Sequence, residues 1–150
     1  MKWFKKFSAK PKFDLLTYGS LKLGKDRKGY FWEGIVHFPN LDDRIELAIE
    51  VEDENKPSKE HVEIINDFME NWEKVEDDLL THLATNFKNS IWAKSKAELR
   101  KIYFLASLEL KRNKEEFWLV FEPNFNEESI FNFLPRFTIR NKKIIWSNVT

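Results

Sequence analysis

The chain has 150 residues, with 25 basic and 25 acidic side chains and no cysteine. A chain of this length forms one domain with one core, and an aromatic content of 15% excludes a disordered protein. The lack of cysteine excludes disulfides, thiolate nucleophiles and zinc–thiolate sites, and it favours a reducing compartment. No apolar run approaches the roughly 18 residues that a membrane span needs, so we expect the body of the protein to be soluble. The basic start lacks the apolar segment of a signal peptide, and with the lack of cysteine this predicts a cytoplasmic protein.

The zero net charge conceals a strong asymmetry along the chain. Residues 42–78 carry fifteen acidic and four basic side chains, a net charge of −11, whereas residues 1–41 carry +6 and residues 79–150 carry +5. We call residues 42–78 the acidic block. If its charges share one surface in the fold, that surface attracts basic partners and repels nucleic acid.

The first twelve residues contain five lysines interleaved with Trp3, Phe4 and Phe7. Such a segment could contact an anionic membrane or a nucleic acid. We favour a tail whose aromatic side chains dock on the domain, because twelve residues are too few to bind a membrane firmly. We therefore predict a basic tail over residues 1–12 and a single domain over residues 13–150.

Short strands are predicted over residues 13–18 and 21–23, which form a hairpin, and over residues 30–38. The next segment, residues 44–52, shows the most regular alternation. One face of this strand would carry only apolar side chains: Ile45, Leu47, Ile49 and Val51. The other face would be mainly charged, with Arg44, Glu46, Ala48, Glu50 and Glu52. This pattern is typical of an antiparallel sheet that is covered on one face only.

Residues 29–34, near the start of the third strand, contain three consecutive aromatic residues and a glutamate between two glycines. Strand alternation puts Tyr30 and Trp32 on one face and Phe31 and Glu33 on the other, so the rings cannot form one continuous platform. Gly34 would allow a bulge or a close approach of the helix. We interpret this stretch as a packing corner of the sheet and not as a catalytic site.

A long helix is predicted over residues 58–87, with Ser58 as its N-cap. Apolar side chains recur along it at steps of three or four: Ile65, Phe68, Trp72, Val75, Leu79, Leu83 and Phe87. At 1.5 Å per residue the helix would be roughly 45 Å long, enough to cross a whole sheet. We expect it to end near residues 86–90, before a second helical piece over residues 91–99.

Two further hairpins are predicted in the last third of the chain. One joins residues 102–111 to residues 115–122, and the other joins residues 136–140 to residues 144–147. Residues 127–133, between the hairpins, fit either a short helix or a loop. The order of strands, helix and strands predicts an α+β fold, with a mostly antiparallel sheet and one long helix packed across one face.

The three histidines do not form a metal site or a catalytic centre in the sequence. His61 and His82 would lie roughly 31 Å apart on the long helix, and His37 has no second histidine at ligand spacing. The sequence contains no Gly-x-Ser-x-Gly elbow and no phosphate-binding glycine loop. We therefore predict no catalytic residues, no metal, no cofactor, and a protein that is not an enzyme.

The acidic block is a candidate partner-binding surface because two adjacent elements carry it. Clustered carboxylates repel one another, and a basic partner would relieve that cost. Solvated acidic helix faces are also common, and this alternative stays open. Trp32 or Trp72 would anchor the contact if either is exposed. The predicted acidic contacts are Glu46, Glu50, Glu52, Asp53, Glu54, Glu70, Glu73 and Asp77.

The order of these features resembles a group of small bacterial domains. The likeness is carried by the aromatic-Trp-x-Gly strand of residues 30–36, the alternating strand of residues 44–49 and the helix start at residues 57–61. In outline it extends over residues 13–147. Members of that group resemble immunity proteins of polymorphic toxin systems, which are small cytosolic proteins that bind and neutralise a toxin domain.

The resemblance and the acidic block together imply a non-enzymatic protein-binding domain, an immunity protein that neutralises a cognate basic toxin through an acidic surface. Nucleic acid and firm membrane association are not expected, and the sequence leaves the oligomeric state open. Two alternatives are a small hydrolase that uses acidic side chains and an adaptor domain that is peripheral to a membrane through its basic tail.

Overall fold

The computed structural model describes residues 10–124 and 133–149 of the chain. Within these ranges one sheet contains eight strands, and three helices lie between its fourth and fifth strands in the chain. The strands are β1 Lys12–Leu15, β2 Gly19–Asp26, β3 Gly29–Val36, β4 Ile45–Val51, β5 Tyr103–Leu110, β6 Glu116–Pro123, β7 Arg136–Arg140 and β8 Lys143–Ser147. The helices are α1 Lys59–Glu70, α2 Trp72–Phe87 and α3 Lys96–Ile102.

The strands lie across the sheet in chain order, from β1 at one edge to β8 at the other. Every neighbouring pair is antiparallel except β4 and β5, which are parallel. Parallel neighbours need a long crossover connection, and the three helices supply it. The predicted α+β class, its mostly antiparallel sheet and the two late hairpins are therefore confirmed.

One face of the sheet forms the hydrophobic core. Ile49, Leu110, Phe117 and Ile139 are cross-strand neighbours in β4 to β7, and all four are buried. Phe117 stacks on Phe68 of α1 with 4.1 Å between the ring centroids, which places the helices on this face. Burial of these aromatic and branched side chains supplies the main driving force for folding.

The opposite face of the sheet, which we call the open face, carries the alternate side chains of the same strands. Ala48, Glu109 and Trp118 are cross-strand neighbours there, and the Trp118 side chain is 42% exposed. None of the three described helices covers this face. The alternation predicted for β4 is confirmed, because Ile45 and Ile49 are buried while Glu46 and Ala48 lie on the open face.

The single long helix is not found, because the helical chain breaks at Asn71 into α1 and α2. In an unbroken helix the Met69 carbonyl would accept a hydrogen bond from the residue four positions later. Instead the Asn40 side-chain amide donates to that carbonyl, and the Asn71 side chain donates back to the Asp67 carbonyl at 2.8 Å. A contact from the distant β3–β4 turn therefore marks the break.

The later helix ends follow local capping signals. Helix α2 ends at Phe87, inside the range predicted for the end of the long helix. Helix α3 begins after Ser95 and not near residue 91, because Ser95 and Glu98 form a capping box. The Ser95 hydroxyl accepts from the Glu98 amide at 3.1 Å, and the Glu98 carboxylate accepts from the Ser95 amide at 3.3 Å.

The aromatic stretch in β3 divides between the two faces as its alternation predicts. Trp32 pairs with Ile49 on the core face, and Glu33 pairs with Ala48 on the open face. The close approach at Gly34 comes from β2 and not from the helix, because a Cβ atom there would lie 2.2 Å from the Ser20 carbonyl oxygen. The stretch is a packing corner between strands.

Residues 1–9 of the predicted tail lie outside the described residues, as do residues 127–132 of the segment predicted as a short helix or a loop. Strand β1 begins at Lys12, close to the predicted start of the domain. No helix among the described residues is both long enough and apolar enough to cross a membrane.

Candidate functional site

The fold divides the acidic block among three places. Glu46 and Glu50 lie on the open face of the sheet, whereas Glu70 and Glu73 lie on the helices that cover the other face. The carboxylates predicted at residues 52–54 lie in the turn between β4 and α1. The predicted contacts therefore do not form one continuous surface. The carboxylates on β4 and those on the helices lie on opposite sides of the sheet.

The turn between β4 and α1 is exposed and internally hydrogen-bonded. The Asp53 carboxylate accepts from the Asn55 amide at 2.9 Å, and the Trp32 indole N–H donates to the Asn55 carbonyl at 3.0 Å. Glu52 and Glu54 are exposed and have no ion-pair partner within the described residues. This turn is a small acidic surface that faces solvent.

A larger acidic surface lies where the β3–β4 turn meets the junction of α1 and α2. A cleft of about 1080 Å³ opens there between the turn, the two helices and the start of β5. We call it the acidic groove and define it by its carboxylates: Asp42, Asp43, Glu70, Glu73 and Glu76. The cations on its wall are Arg44, Arg100 and Lys101.

Buried side chains fix the floor of the acidic groove. Trp72 is 4% exposed and stacks on Phe121, with 6.2 Å between the ring centroids. Tyr103 is also buried, its hydroxyl donates to the Phe133 carbonyl at 3.3 Å, and burial raises the pKa of Tyr103 to about 12. The Asn40 amide that interrupts the helix also ties the turn to this floor. The groove is therefore a preformed feature of the domain.

Several helix carboxylates are already paired within the chain. Asp77 lies 2.8 Å from Lys96 Nζ, and a hydrogen bond from Lys96 lowers the pKa of Asp77 against a smaller opposing effect of burial. The Glu76 carboxylate accepts from Arg100 Nε at 3.2 Å. Asp67 pairs with Lys142 of the last hairpin at 3.3 Å. These bridges partly neutralise the acidic block inside the fold.

Four groove carboxylates keep their charge unpaired. Within the described ranges, no lysine, arginine or histidine side chain lies within ion-pair distance of Asp42, Asp43, Glu70 or Glu73. All four side chains are exposed. Arg44, Arg100 and Lys101 on the same cleft offset part of their negative charge, and a cationic ligand in the groove would reduce the rest of the repulsion.

Glu50 has a structural role on the open face. Its carboxylate accepts from Lys111 Nζ at 2.6 Å and from the Arg112 amide at 3.0 Å. Burial alone would raise the pKa of Glu50, but these hydrogen bonds outweigh it and lower the pKa. The same Lys111 ammonium lies 3.0 Å from Glu109 and 3.6 Å from the centre of the Trp118 ring. Glu50 is therefore committed to an internal cluster.

The two tryptophans proposed as anchors are not exposed. Trp32 is fully buried and Trp72 is 4% exposed, so neither can insert into a partner. The prediction that Trp32 or Trp72 anchors a partner required an exposed side chain, and neither side chain is exposed. The physical reason is that Trp32 faces the core side of β3, and Trp72 begins α2 directly over the sheet.

The histidines serve local structure. His37 Nε2 lies 2.9 Å from the Leu41 carbonyl, and His61 Nδ1 accepts from the Ser58 amide at 3.0 Å at the start of α1. His82 Nε2 lies 3.3 Å from the Val149 carbonyl. In the portion of the chain that the structure describes, no group of three or more potential ligand side chains is arranged to hold a metal ion.

Sequence reasoning missed Asp42 and Asp43, which complete the groove, and Glu109, which shares Lys111 on the open face. Asp42 and Asp43 are the first two residues of the acidic block, so the charge pattern of the sequence already included them. They lie in a turn, outside the alternating strand on which the prediction was based. Glu109 carried no such signal, because its partners lie in other elements.

Comparison of the chain with protein-family models, with curated proteins and with solved structures found no match.

Proposed function

We propose that this chain is a non-enzymatic protein-binding domain, an immunity protein that neutralises a cognate toxin, and that the acidic groove receives a basic segment of that toxin. The observation that carries the proposal is a group of four exposed carboxylates around one cleft that have no ion-pair partner within the described residues: Asp42, Asp43, Glu70 and Glu73. The sequence resemblance to immunity proteins supports the same interpretation.

The groove suits a protein ligand with lysine or arginine side chains. Its exposed carboxylates would meet those cations, while the half-buried side chains of Leu41 and Phe104 would pack against their methylene stems. The same charges repel phosphate, so a nucleic acid is not the proposed ligand. A toxin whose own active site is basic would be blocked both by charge and by bulk. We place this interaction in the cytoplasm, without firm membrane association.

The test is a charge reversal of the groove. Asp42, Asp43, Glu70 and Glu73 are changed to lysine together, and calorimetry measures binding to the product of the adjacent upstream reading frame. We expect affinity to fall by at least about 100-fold, because each reversed carboxylate turns an attraction into a repulsion. Survival of cells that co-express the toxin should fall in parallel.

The matched control reverses the three carboxylates of the β4–α1 turn: Glu52, Asp53 and Glu54. This variant has a similar change in charge on an acidic surface that lies outside the groove. We expect its affinity to stay within about threefold of the parent, apart from a uniform loss of electrostatic steering. Equal losses in both variants, or binding unchanged by the groove reversal, would contradict the groove as the contact surface.

A hydrolase is the second candidate, because Glu109 and Glu50 share a cluster on the open face. Burial raises the pKa of Glu109, even though Lys111 opposes that shift. A carboxyl group with a raised pKa beside an ionised carboxylate is the arrangement of a general acid and its partner. Hydrolysis of model glycosides or esters that is abolished by Glu109→Gln, with the fold retained, would establish this function in place of binding.

A further inference from the structure

The open face of the sheet carries charges of both signs. Most of its carboxylates lie beside a cation of the same chain: Glu50 and Glu109 bind Lys111, Glu116 binds Arg140, and Glu33 is the cross-strand neighbour of Lys22. Glu46 in β4 and Arg136 in β7 lie on opposite sides of the centre of this face. A surface of this kind matches a partner on which the same pattern is reversed.

The open face also exposes large apolar side chains. Ile35 is 53% exposed in β3, and Trp118 and Trp146 are 42% and 53% exposed in β6 and β8. Thr138 lies between the two tryptophans in the cross-strand register and is itself buried. Exposed apolar side chains grouped with charges are typical of protein interaction surfaces.

The register of the sheet gives the positions of the charges. Glu46 of β4 pairs with Ser107 of β5, Ser107 pairs with Val120 of β6, and Val120 pairs with Arg136 of β7. Glu46 and Arg136 therefore occupy one row across the strands, at equal distances on either side of the line between β5 and β6. Within the described residues neither has an ion-pair partner.

From this pattern we propose that the open face docks on the open face of a second copy of the chain, related by a two-fold axis parallel to the strands between β5 and β6. A rotation about that axis places β4 of one copy over β7 of the other. Glu46 then faces Arg136 of the second copy. Glu50 and Arg140 are already paired within their own chain, with Lys111 and Glu116, and take no part in the proposed contact. The interface is self-complementary, as a symmetric dimer requires.

The apolar side chains fit the same arrangement. Strand β3 of one copy lies over β8 of the other, where the register sets Glu33 opposite Trp146, with Phe31 and Ile35 on either side of that contact. Trp118 of β6 faces β5 near the axis. Two sheets packed face to face with their strands nearly aligned form a sandwich about 10 Å thick.

The expected contact is of modest size. Six strands spaced about 4.8 Å apart, over a length of about 20 Å, cover roughly 600 Å² on each copy. The total of about 1,200 Å² lies at the lower limit for a specific interface, so we expect a dissociation constant in the micromolar range.

A partner with charge of a single sign fits this face poorly. A nucleic acid would meet Glu46, and a uniformly basic protein would meet Arg136. A second copy satisfies both charges at once. The acidic groove lies beside the helices and outside this interface, so dimerisation is independent of the proposed toxin binding.

The experiment measures the mass of the intact chain by analytical ultracentrifugation across micromolar concentrations, in about 50 mM salt. We expect a concentration-dependent rise toward twice the 18.1 kDa of one chain. Arg136→Glu alone and Glu46→Arg alone should each weaken the dimer by at least about tenfold, because each creates two like-charge contacts across the axis. The matched control changes Lys88 and Lys94, which lie between α2 and α3, to glutamate. This variant should dimerise as tightly as the parent protein.

Mixing the two single variants is the decisive step. In a mixed dimer, the unchanged Glu46 of the Arg136→Glu chain meets the unchanged Arg136 of the Glu46→Arg chain. The two substituted side chains meet at the second contact and also carry opposite charges, so both pairs are restored. We expect the mixture to dimerise about as tightly as the parent protein, which also shows that both variants are folded. Absence of recovery on mixing would overturn the proposed axis.

Two other outcomes would also overturn the proposal. One is a parent chain that stays monomeric at every concentration, including low salt. The other is a monomeric parent in which Glu46→Arg and Arg136→Glu each reduce binding to the product of the adjacent reading frame. That second result would assign the open face to a different protein and not to a second copy.

Discussion

The two faces of the sheet are built from the same strands and are stabilised in different ways. On the core face Trp32, Ile49 and Phe117 are buried under the helices, and packing holds them. On the open face Glu50 and Lys111 satisfy each other by charge while solvent reaches their neighbours. A substitution in one strand therefore has an effect that depends on which face the side chain occupies.

The largest expected difference is between Trp32 and Ile35, which lie three positions apart in β3 on opposite faces. Trp32→Ala should reduce the free energy of unfolding by about 3–5 kcal/mol, because it empties a fully buried site and removes the hydrogen bond to Asn55. Ile35→Ala should cost less than about 1 kcal/mol, because Ile35 is 53% exposed. Urea unfolding of both variants checks this, and similar losses would contradict the assignment of faces.

Gly34 in β3 and Gly24 in β2 provide a second comparison of the two faces. An added Cβ atom at Gly34 would meet the Ser20 backbone carbonyl at 2.2 Å, whereas one at Gly24 would meet the Phe31 ring at 2.5 Å. Backbone cannot move aside, but an open-face ring can rotate toward solvent. We expect Gly34→Ala to cost about 2–3 kcal/mol and Gly24→Ala less than about 1 kcal/mol. Thermal unfolding of the two variants measures the difference, and equal costs would be inconsistent with it.

Lys111→Met tests the charge cluster on the open face. The substitution keeps an apolar chain against Trp118 and leaves Glu50 and Glu109 close together without their shared cation. We expect a loss of about 1–2 kcal/mol at neutral pH, less than for a fully buried pair because the Glu109 side chain is 33% exposed. Lys114→Met, which breaks a bridge to the exposed Glu60, is the control and should leave the free energy of unfolding nearly unchanged, because water screens that pair.

The smallest expected effect is a pH dependence at the start of α1. Burial lowers the pKa of His61, the nearby Lys114 lowers it further, and Glu60 opposes both. Because the folded-state pKa lies below the unfolded value, this contribution to stability is present above about pH 6.5 and is lost as pH falls through the folded pKa.

The free energy of unfolding should therefore decline from pH 7 to pH 5. His61→Gln, which keeps an acceptor for the capping box, should flatten that decline. Denaturant unfolding at several pH values measures both slopes. An unchanged slope in the variant would show that other groups cause the decline.

Local patterns were sufficient for much of the fold. The alternation in β4, the apolar spacing of α1 and α2 and the turn residues of the late hairpins predicted the core face and the order of elements. The helix break was missed because Asn71 looks ordinary for its position, and the contact that marks the break comes from Asn40. Asp42 and Asp43 were counted in the acidic block, but only the fold brings them to Glu70 and Glu73.

The sequence by itself determined which side chains face the core, because hydrophobic periodicity relates residues two to four positions apart. Only the tertiary structure decided which charges share a surface, because those contacts join distant residues. Asn40 lies 29 positions from Met69, and Lys111 lies 61 positions from Glu50. The sheet placed Glu46 and Glu50 on one side of the domain and the helix carboxylates on the other. It brought Asp42, Asp43, Glu70 and Glu73 around one groove, where they have no ion-pair partner among residues 10–124 and 133–149.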